Sequence, residues 1–168
     1  LFGVLSGSEI IQHVRFDPKA VLEDIANKNV TVFCGVPTMF TALIHHPETP
    51  AYSLRSLKYC ASGGAPLPVE VAEQFTAITG ATPSEGWGMT ETSPTGTFTP
   101  GQAGAKRKIG SCGIPSPGIV IKFLSVDDPS TYVPLGERGE ICIKGPNVMK
   151  GYWNNPQATA EVTTFDGF

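Results

Sequence analysis

The sequence is poor in the features that mark several large classes of protein. Charged residues make up 16% of its 168 residues, and the formal net charge is −3. No basic face for nucleic acid is therefore expected. The longest apolar runs, such as residues 30–36, are far too short to cross a bilayer. These absences favour a globular protein with no nucleic-acid partner and no transmembrane segment.

Cysteine is scarce and follows no recognisable pattern. Cys34, Cys60, Cys112 and Cys142 are far apart, no CxxC pair occurs, and the histidines are not spaced with them as zinc ligands. Each cysteine lies in or beside an apolar run, which predicts buried free thiols. Free thiols are typical of a reducing compartment, so we expect a cytoplasmic protein.

Two common catalytic signatures are also missing. The run that begins Ser62-Gly63-Gly64 has no Gly-Lys-Ser/Thr after it and is not a Walker loop. No Gly-x-Ser-x-Gly elbow of an α/β-hydrolase occurs. The adjacent Asp127 and Asp128 lie in a predicted turn, where side-chain bonds to the backbone explain them better than hydrolase chemistry. Hydrolysis by a pair of carboxylates or by an α/β-hydrolase serine is therefore disfavoured.

Hydrophobic patterning predicts an α/β fold with two parts. Residues 1–105 alternate between strands and helices, which predicts a parallel-type sheet with flanking helices. Residues 106–168 contain short strands separated by turns, which predicts a small, β-rich and barrel-like subdomain. Strands are predicted at residues 10–16, 30–34, 57–61, 119–126, 140–144 and 148–153, and helices from Asp17-Pro18 to about residue 29, from about residue 37 to Pro47, at residues 69–79 and at residues 158–162.

The most informative stretch is residues 85–94, EGWGMTETSP. Trp87 offers a flat face that can stack on a purine, and the glycines on either side allow a close approach of the backbone. Thr90 can donate to a phosphate oxygen, and Glu91 is a hard oxygen ligand of the kind that Mg²⁺ takes beside phosphates. On its own, the stretch is explained more simply as a glycine-bounded turn that has a buried Trp and a helix start.

A second glycine-rich segment follows the strand predicted at residues 57–61. The run SGGAPLP, residues 62–68, lies between this strand and the helix predicted from residue 69. Strand, glycine loop and helix in this order place ligands at the carboxyl ends of parallel strands. On its own, the segment is also explained as a tight turn between strand and helix.

Three ordered motifs together resemble one family. They are ASGGAPL at residues 61–67, GWGMTE at residues 86–91, and GEICIKG with VMKGYW in residues 139–153. The chain resembles the adenylate-forming acyl-CoA synthetases, also called AMP-dependent synthetases/ligases, over essentially its whole length. The segment Gly35-Val36-Pro37-Thr38 fits the same pattern.

The resemblance implies an activity and a set of ligands. Such enzymes convert a carboxylic acid and ATP into an acyl-adenylate with Mg²⁺ and then transfer the acyl group to CoA, releasing AMP. An apolar or fatty acid is the implied substrate class. The family usually has Tyr at the position of Trp87, and the stacking face survives that change. The implied site residues are Gly64, Ala65, Pro66, Trp87, Gly88, Met89 and Thr90 for the nucleotide, Thr90 and Glu91 for catalysis, Glu91 for the metal, and Gly63, Gly86 and Pro94 for the acid.

The same resemblance implies that parts of the site lie outside these residues. The phosphate loop of the family would precede Leu1, and its ribose-binding Asp would follow Phe168, so Asp166 is not that residue. The C-terminal lid with the catalytic Lys would also be absent, and lid closure completes such sites. We therefore expect an internal fragment of the large N-terminal domain that is inactive alone.

Three other interpretations remain open at this stage. The chain could come from an amino-acid adenylation domain that loads a carrier protein, although no evident acidic partner for a substrate ammonium is present and Gly-Met-Thr-Glu is closer to the CoA ligases. It could be a non-catalytic nucleotide-binding module, or an ordinary α/β domain with accidental glycine turns. Nothing in the sequence indicates an oligomeric state.

Overall fold

The computed structural model of the chain describes residues 2–100 and 108–168, which fall into two compact units that are described separately below. Its helices are α1 (Phe2–Leu5), α2 (Pro18–Lys28), α3 (Pro37–His45), α4 (Val69–Thr79) and α5 (Pro156–Val162), with 3₁₀ turns at Thr49–Ala51 and Thr90–Thr92. Its strands are β1 (Val32–Gly35), β2 (Tyr59–Ser62), β3 (Ser84–Trp87), β4 (Thr97–Phe98), β5 (Ile114–Pro115), β6 (Val120–Leu124) and β7 (Glu140–Lys144).

The first unit, residues 1–60 and 68–83, contains α1 to α4, β1 and the start of β2. Its core is aromatic at the centre, where the fully buried rings of Phe40 and Phe75 meet edge to face with centroids 4.9 Å apart. This geometry matches the ring quadrupoles and adds to the gain from burial. Leu22 and Ile25 of α2 are also buried. Burial of one apolar face on each of α2, α3 and α4 therefore holds this unit together.

Helix boundaries in this unit follow the signals in the sequence. The Asp17 carboxylate accepts from the backbone N–H of Ala20 at 3.0 Å, and Pro18 occupies the first helical position of α2. Asn29 ends α2 in the left-handed region, at φ 51°. Gly80 ends α4 with φ 81°, which glycine adopts at little cost. The predicted starts and ends of these two helices are confirmed.

The second unit, residues 61–67 and 84–168, contains the end of β2 and strands β3 to β7. The end of β2 pairs in parallel with β3, β3 pairs antiparallel with β4, and β4 pairs antiparallel with β5. Strands β6 and β7 form a separate antiparallel pair in which Lys122 faces Cys142. The chain thus has the expected mixed α/β fold with a second, smaller sheet. The barrel-like closure of this part stays a prediction.

Two predicted strands are wrong, and three strands, β3, β4 and β5, were not predicted. Residues 10–16 form no strand. Ile10 and Val14 are exposed, and the backbone of this segment pairs with none of the described strands. Residues 148–153 form turns tied to another loop of the second unit. Strand β3 was hidden because Ser, Glu and Gly have low strand propensity, and its pairing with β2 and β4 overrides that preference.

The cysteine prediction is only partly correct. None of the four cysteines forms a disulfide, as expected, and Cys60 is buried. Cys34 and Cys112 are exposed, so their burial was wrongly predicted. Cys34 lies on the exposed side of β1 and Cys112 lies in a loop, and an apolar run does not reveal either position.

Other expectations concern membranes and subdomain limits. In the part of the chain that the structure describes, no helix combines the length and apolar character needed to span a bilayer. The predicted limit between subdomains 1–105 and 106–168 lies outside the described residues and stays a prediction.

Candidate active site

Two loops of the second unit leave its sheet at one edge, because the strands before them are parallel neighbours. Ser62 of β2 lies opposite Glu85 of β3. The glycine loop, residues 63–67, follows β2, and residues 88–94 follow β3. Open α/β sheets bind ligands in the crevice outside the carboxyl ends of such strands. The two segments predicted to bind the nucleotide therefore start where a ligand site is expected.

The carboxylate of Glu85 ties the glycine loop in place. Its Oε2 accepts from the backbone N–H of Leu67 at 3.2 Å, and its Oε1 accepts from the backbone N–H of Gly110 at 3.1 Å. Hydrogen bonds to an ionised acceptor are stronger than those between neutral groups. Glu85 thus fixes one end of the loop, a role that the sequence did not reveal although the residue opens the EGWGMTETSP stretch.

The glycine loop presents backbone rather than side chains to its surroundings. Gly64 has φ 80°, a conformation that disfavours any residue with a Cβ. Gly64, Ala65 and Pro66 are exposed, and Gly63 is half-buried. A methyl group added at Gly63 would meet no atom within 4 Å. The loop is therefore accessible, and there is open space beside Gly63.

Trp87 is half-buried at the end of β3. Its backbone N–H donates to Thr97 Oγ1 at 3.3 Å, and its carbonyl accepts from the N–H of Gly96 at 2.8 Å. A Cβ on Gly96 would lie 2.5 Å from the six-membered ring of the indole. The indole thus rests on the backbone of Gly96, and it is not sealed in the core.

The chain's own packing explains why glycine flanks Trp87. A Cβ on Gly88 would lie 1.7 Å from the carbonyl oxygen of Pro94, and one on Gly86 would lie 2.9 Å from that of Thr97. Both glycines therefore allow two backbone segments to pass close to each other. Contacts of Gly86, Gly88 and Pro94 with a ligand stay predictions.

The 3₁₀ turn after β3, Thr90–Thr92, buries Thr92 and leaves the residues before it at the surface. Thr92 is fully buried, and its Oγ1 accepts from the N–H of Met89 at 3.1 Å and donates to the carbonyl of Met89 at 2.9 Å. This closed turn leaves Met89 and Thr90 exposed and Glu91 half-buried. The hydroxyl of Thr90 is thus placed at the surface, beside the carboxylate that follows it.

Glu91 has the donor chemistry that a magnesium ion requires. Its Oε1 accepts from the Tyr152 hydroxyl at 2.8 Å, and this bond lowers the pKa of the carboxyl group, so the group is ionised at neutral pH. Among the residues that the structure describes, no three His, Cys, Asp or Glu side chains cluster to hold a metal. Mg²⁺ typically takes one or two carboxylates together with substrate phosphates and water. A single accessible carboxylate fits that arrangement.

A segment near the end of the second unit packs on this turn. The N–H of Met149 donates to the carbonyl of Glu91 at 2.8 Å. Asn147 Nδ2 donates to the carbonyl of Thr92, and also to that of Thr95 at 2.6 Å. We call residues 147–152 the strap. It falls within the third family motif, which was its only sequence signal, and the role of Tyr152 beside Glu91 was missed.

Asp166 is occupied by contacts within the second unit. Its carboxylate accepts from Lys122 Nζ at 2.8 Å and from Thr164 Oγ1 at 2.6 Å, and these bonds lower the pKa of Asp166. Lys122 also lies over the ring of Phe168, 4.2 Å from its centroid. These contacts attach the last residues of the chain to β6.

The chain is similar to known proteins over most of its length. Residues 1–153 match the model of the family described as AMP-binding enzyme. The chain is 42% identical over 163 residues to a long-chain-fatty-acid–CoA ligase of Bacillus subtilis, covering 96% of this chain and 28% of that protein. It is 42% identical over 159 residues to a feruloyl-CoA synthase of Amycolatopsis, covering 95% of this chain and 32% of that protein.

A solved structure gives the same result for the fold. The ATP-bound MatB from Rhodopseudomonas palustris superposes with a TM-score of 0.86 at 33% identity, over 99% of this chain and 32% of that one. The chain thus spans about a third or less of the length of the proteins it matches. On the family match over most of its residues, the chain belongs to the AMP-binding enzyme family.

Proposed function

We propose that the chain is part of an AMP-forming ligase that activates a carboxylic acid as its acyl-adenylate and transfers the acyl group to CoA. One observation carries the proposal. The glycine loop and the segment from Trp87 to Glu91 leave the same edge of a parallel strand pair, and Glu85 ties the loop to the strand. The names of the relatives, which are CoA ligases, support the same reaction.

The nucleotide is proposed to lie between the two loops. Gly64, Ala65 and Pro66 run along the adenine, and Trp87 stacks on its face with a gain of ~1–3 kcal/mol. The backbone of Gly88 and Met89 continues towards the phosphates. Thr90 donates its hydroxyl to the α-phosphate. The exposure of the glycine loop and of Met89 and Thr90 supports this arrangement.

The reaction requires a carboxylate to become a good electrophile. A carboxylate oxygen attacks the α-phosphorus, the bond from that phosphorus to the bridging oxygen breaks, and pyrophosphate leaves with the negative charge. The CoA thiolate then attacks the acyl carbon and AMP leaves. The donor groups of the site lower the barrier most when they face the charge that develops on the phosphates.

Magnesium is proposed to bind at Glu91. Bound there, it would supply positive charge beside the phosphates. Glu91 provides an ionised and accessible oxygen, held in place by the Tyr152 hydroxyl. Thr90, on the same turn, donates to the phosphate beside it.

The acid substrate is proposed to be apolar. The protein is proposed to be cytoplasmic. Gly63, Gly86 and Pro94 are proposed to line the acyl pocket, and the open space beside Gly63 supports this. Two relatives carry the names of ligases for a long-chain fatty acid and for ferulate, both of which have a large apolar part.

The decisive assay measures acid-dependent exchange of pyrophosphate into ATP by the full-length protein. We expect exchange with apolar carboxylic acids and, when CoA is added, formation of the acyl-CoA. Exchange with amino acids alone would favour a carrier-loading adenylation domain. Binding of ATP without exchange for any acid would favour a non-catalytic module. Either result contradicts the proposed function.

The isolated chain of 168 residues is proposed to be inactive in the same assay. The family's phosphate loop and its lid with the catalytic Lys are not among these residues, and such a lid completes the site when it closes. Acid-dependent exchange by the purified chain would contradict this.

A further inference from the structure

We propose that Tyr152 is the positioning residue for the Glu91 carboxylate: its hydroxyl holds Oε1 and leaves Oε2 to the metal ion that accompanies the nucleotide. The proposal rests on the proposed function, because it takes Glu91 as the metal ligand. It assigns a role to a side chain 61 residues away in sequence from Glu91.

The contact itself is short and specific. The Tyr152 hydroxyl donates to Glu91 Oε1 at 2.8 Å, and no other side chain in the described part of the chain donates to this carboxylate. A hydrogen bond to a carboxylate fixes the rotation of a side chain that otherwise samples several orientations. The remaining oxygen is therefore held in one direction before any metal arrives.

The strap brings Tyr152 to this position. Met149 and Asn147 donate to three backbone carbonyls at and after Glu91, those of Glu91, Thr92 and Thr95. Three bonds between the same two segments restrict their separation. The side chain of Tyr152 is exposed, and the bonds of the strap hold its backbone where the hydroxyl can reach Glu91.

Tyr152 is also anchored on its other side. Its N–H donates to Thr159 Oγ1 at 3.0 Å, and its carbonyl accepts from the N–H of Asn155 at 3.2 Å. Gly151 has φ 144°, and a Cβ there would lie 2.8 Å from the Thr159 methyl. Only glycine allows the strap to pass this close to α5. The tyrosine is therefore supported from both sides, as groups that orient metal ligands usually are.

The test is Tyr152→Phe in the full-length protein, which removes one hydroxyl and keeps the ring. Binding of Mn²⁺ is measured by electron paramagnetic resonance in the presence of a non-hydrolysable ATP analogue. Loss of a group that orients a ligand typically weakens metal binding about tenfold or more. We expect roughly that loss, a parallel rise in the Mg²⁺ concentration for half-maximal exchange, and little change in kcat at saturating Mg²⁺.

The matched control is Tyr132→Phe. Tyr132 is largely exposed, its hydroxyl makes no hydrogen bond within the described part of the chain, and its ring contact with Lys122 survives in Phe. Its Mn²⁺ affinity is expected to equal that of the unmodified protein. If Tyr152→Phe also binds Mn²⁺ with unchanged affinity, the positioning role is wrong.

A double-mutant cycle separates positioning from general support of the fold. In a Glu91→Gln background, Tyr152→Phe is expected to cause no further loss of Mn²⁺ binding, because the carboxylate that Tyr152 orients towards the metal is already gone. An equal loss in both backgrounds would overturn the proposal. If Glu91→Gln itself leaves Mn²⁺ affinity unchanged, the metal role in the proposed function fails. If Glu91→Gln weakens binding and Tyr152→Phe does not, only the role of Tyr152 fails.

Discussion

At the scale of single residues, the indole of Trp87 is the group proposed to contribute most to nucleotide binding. It lies against the backbone of Gly96 and is half-buried, so an aromatic ligand can add to a contact that already exists. A flat π-face is sufficient for stacking, and the polar edge of the ring is not needed. The loss of nucleotide affinity on substitution of residue 87 should therefore depend on how much aromatic face the new side chain keeps.

Trp87→Ala in the full-length protein is expected to weaken ATP binding by ~1–3 kcal/mol, roughly 5- to 150-fold in Kd. Trp87→Tyr is expected to retain most of the affinity, because it keeps a ring at the same place. Isothermal titration with ATP and Mg²⁺ measures both. Trp153→Ala removes the other, largely exposed tryptophan and serves as the control. Equal affinities for the Ala and Tyr variants would show that the purine does not stack there.

A sequence can indicate candidate site residues where their chemistry is local. Trp87, Thr90 and Glu91 were selected because three adjacent side chains offered a stacking face, a donor and a carboxylate. Tyr152 could not be selected in this way, because its role depends on a hydroxyl that reaches a carboxylate 61 positions earlier. A pattern along the chain contains no information about such a distance.

At the scale of the elements, the glycine loop depends on one side chain of β3. Both oxygens of Glu85 accept backbone N–H groups, one from the loop and one from the turn at Gly110. A carboxamide can accept at only one of its two positions, because its nitrogen is a donor. Removing one acceptor oxygen therefore leaves the N–H of either Leu67 or Gly110 without its partner, and that segment is no longer held by Glu85.

Glu85→Gln is expected to increase amide hydrogen exchange at Leu67 or at Gly110, whichever faces the new amide nitrogen. The full-length protein can be compared with the variant by exchange and mass spectrometry of peptides that cover residues 63–67 and 108–113. Glu140→Gln, a charge-matched change on an exposed Glu of β7, is the control. Unchanged exchange in both peptides would mean that Glu85 does not hold the loop.

Elements with clear start and stop signals were predicted well. The caps of α2 and α4, at Asp17 and Gly80, acted as the sequence indicated. Strand β3 and the turns of the strap were not predicted, because their formation depends on pairing with distant segments. Short strands with glycine have little propensity of their own, and the pairing partner decides the outcome.

At the scale of the whole molecule, fold class and family could be predicted from the sequence because three motifs occur in one order. The mixed α/β fold, the second small sheet and the family are confirmed by the structure and by the relatives. The identity of the acid could not be predicted. It depends on the volume and polarity of a pocket, and these are properties of side chains brought together by the complete fold.

The central claim is that ATP binds with its adenine on Trp87 and its metal on Glu91. The most direct measurement is a crystal structure of the full-length protein grown with Mg²⁺ and a non-hydrolysable ATP analogue. The account predicts the adenine stacked on the indole beside residues 64–66, the α-phosphate within hydrogen-bond distance of the Thr90 hydroxyl, and Mg²⁺ bound to Glu91 Oε2 while Tyr152 stays on Oε1. An analogue bound elsewhere, or bound here with its metal away from Glu91, would contradict it.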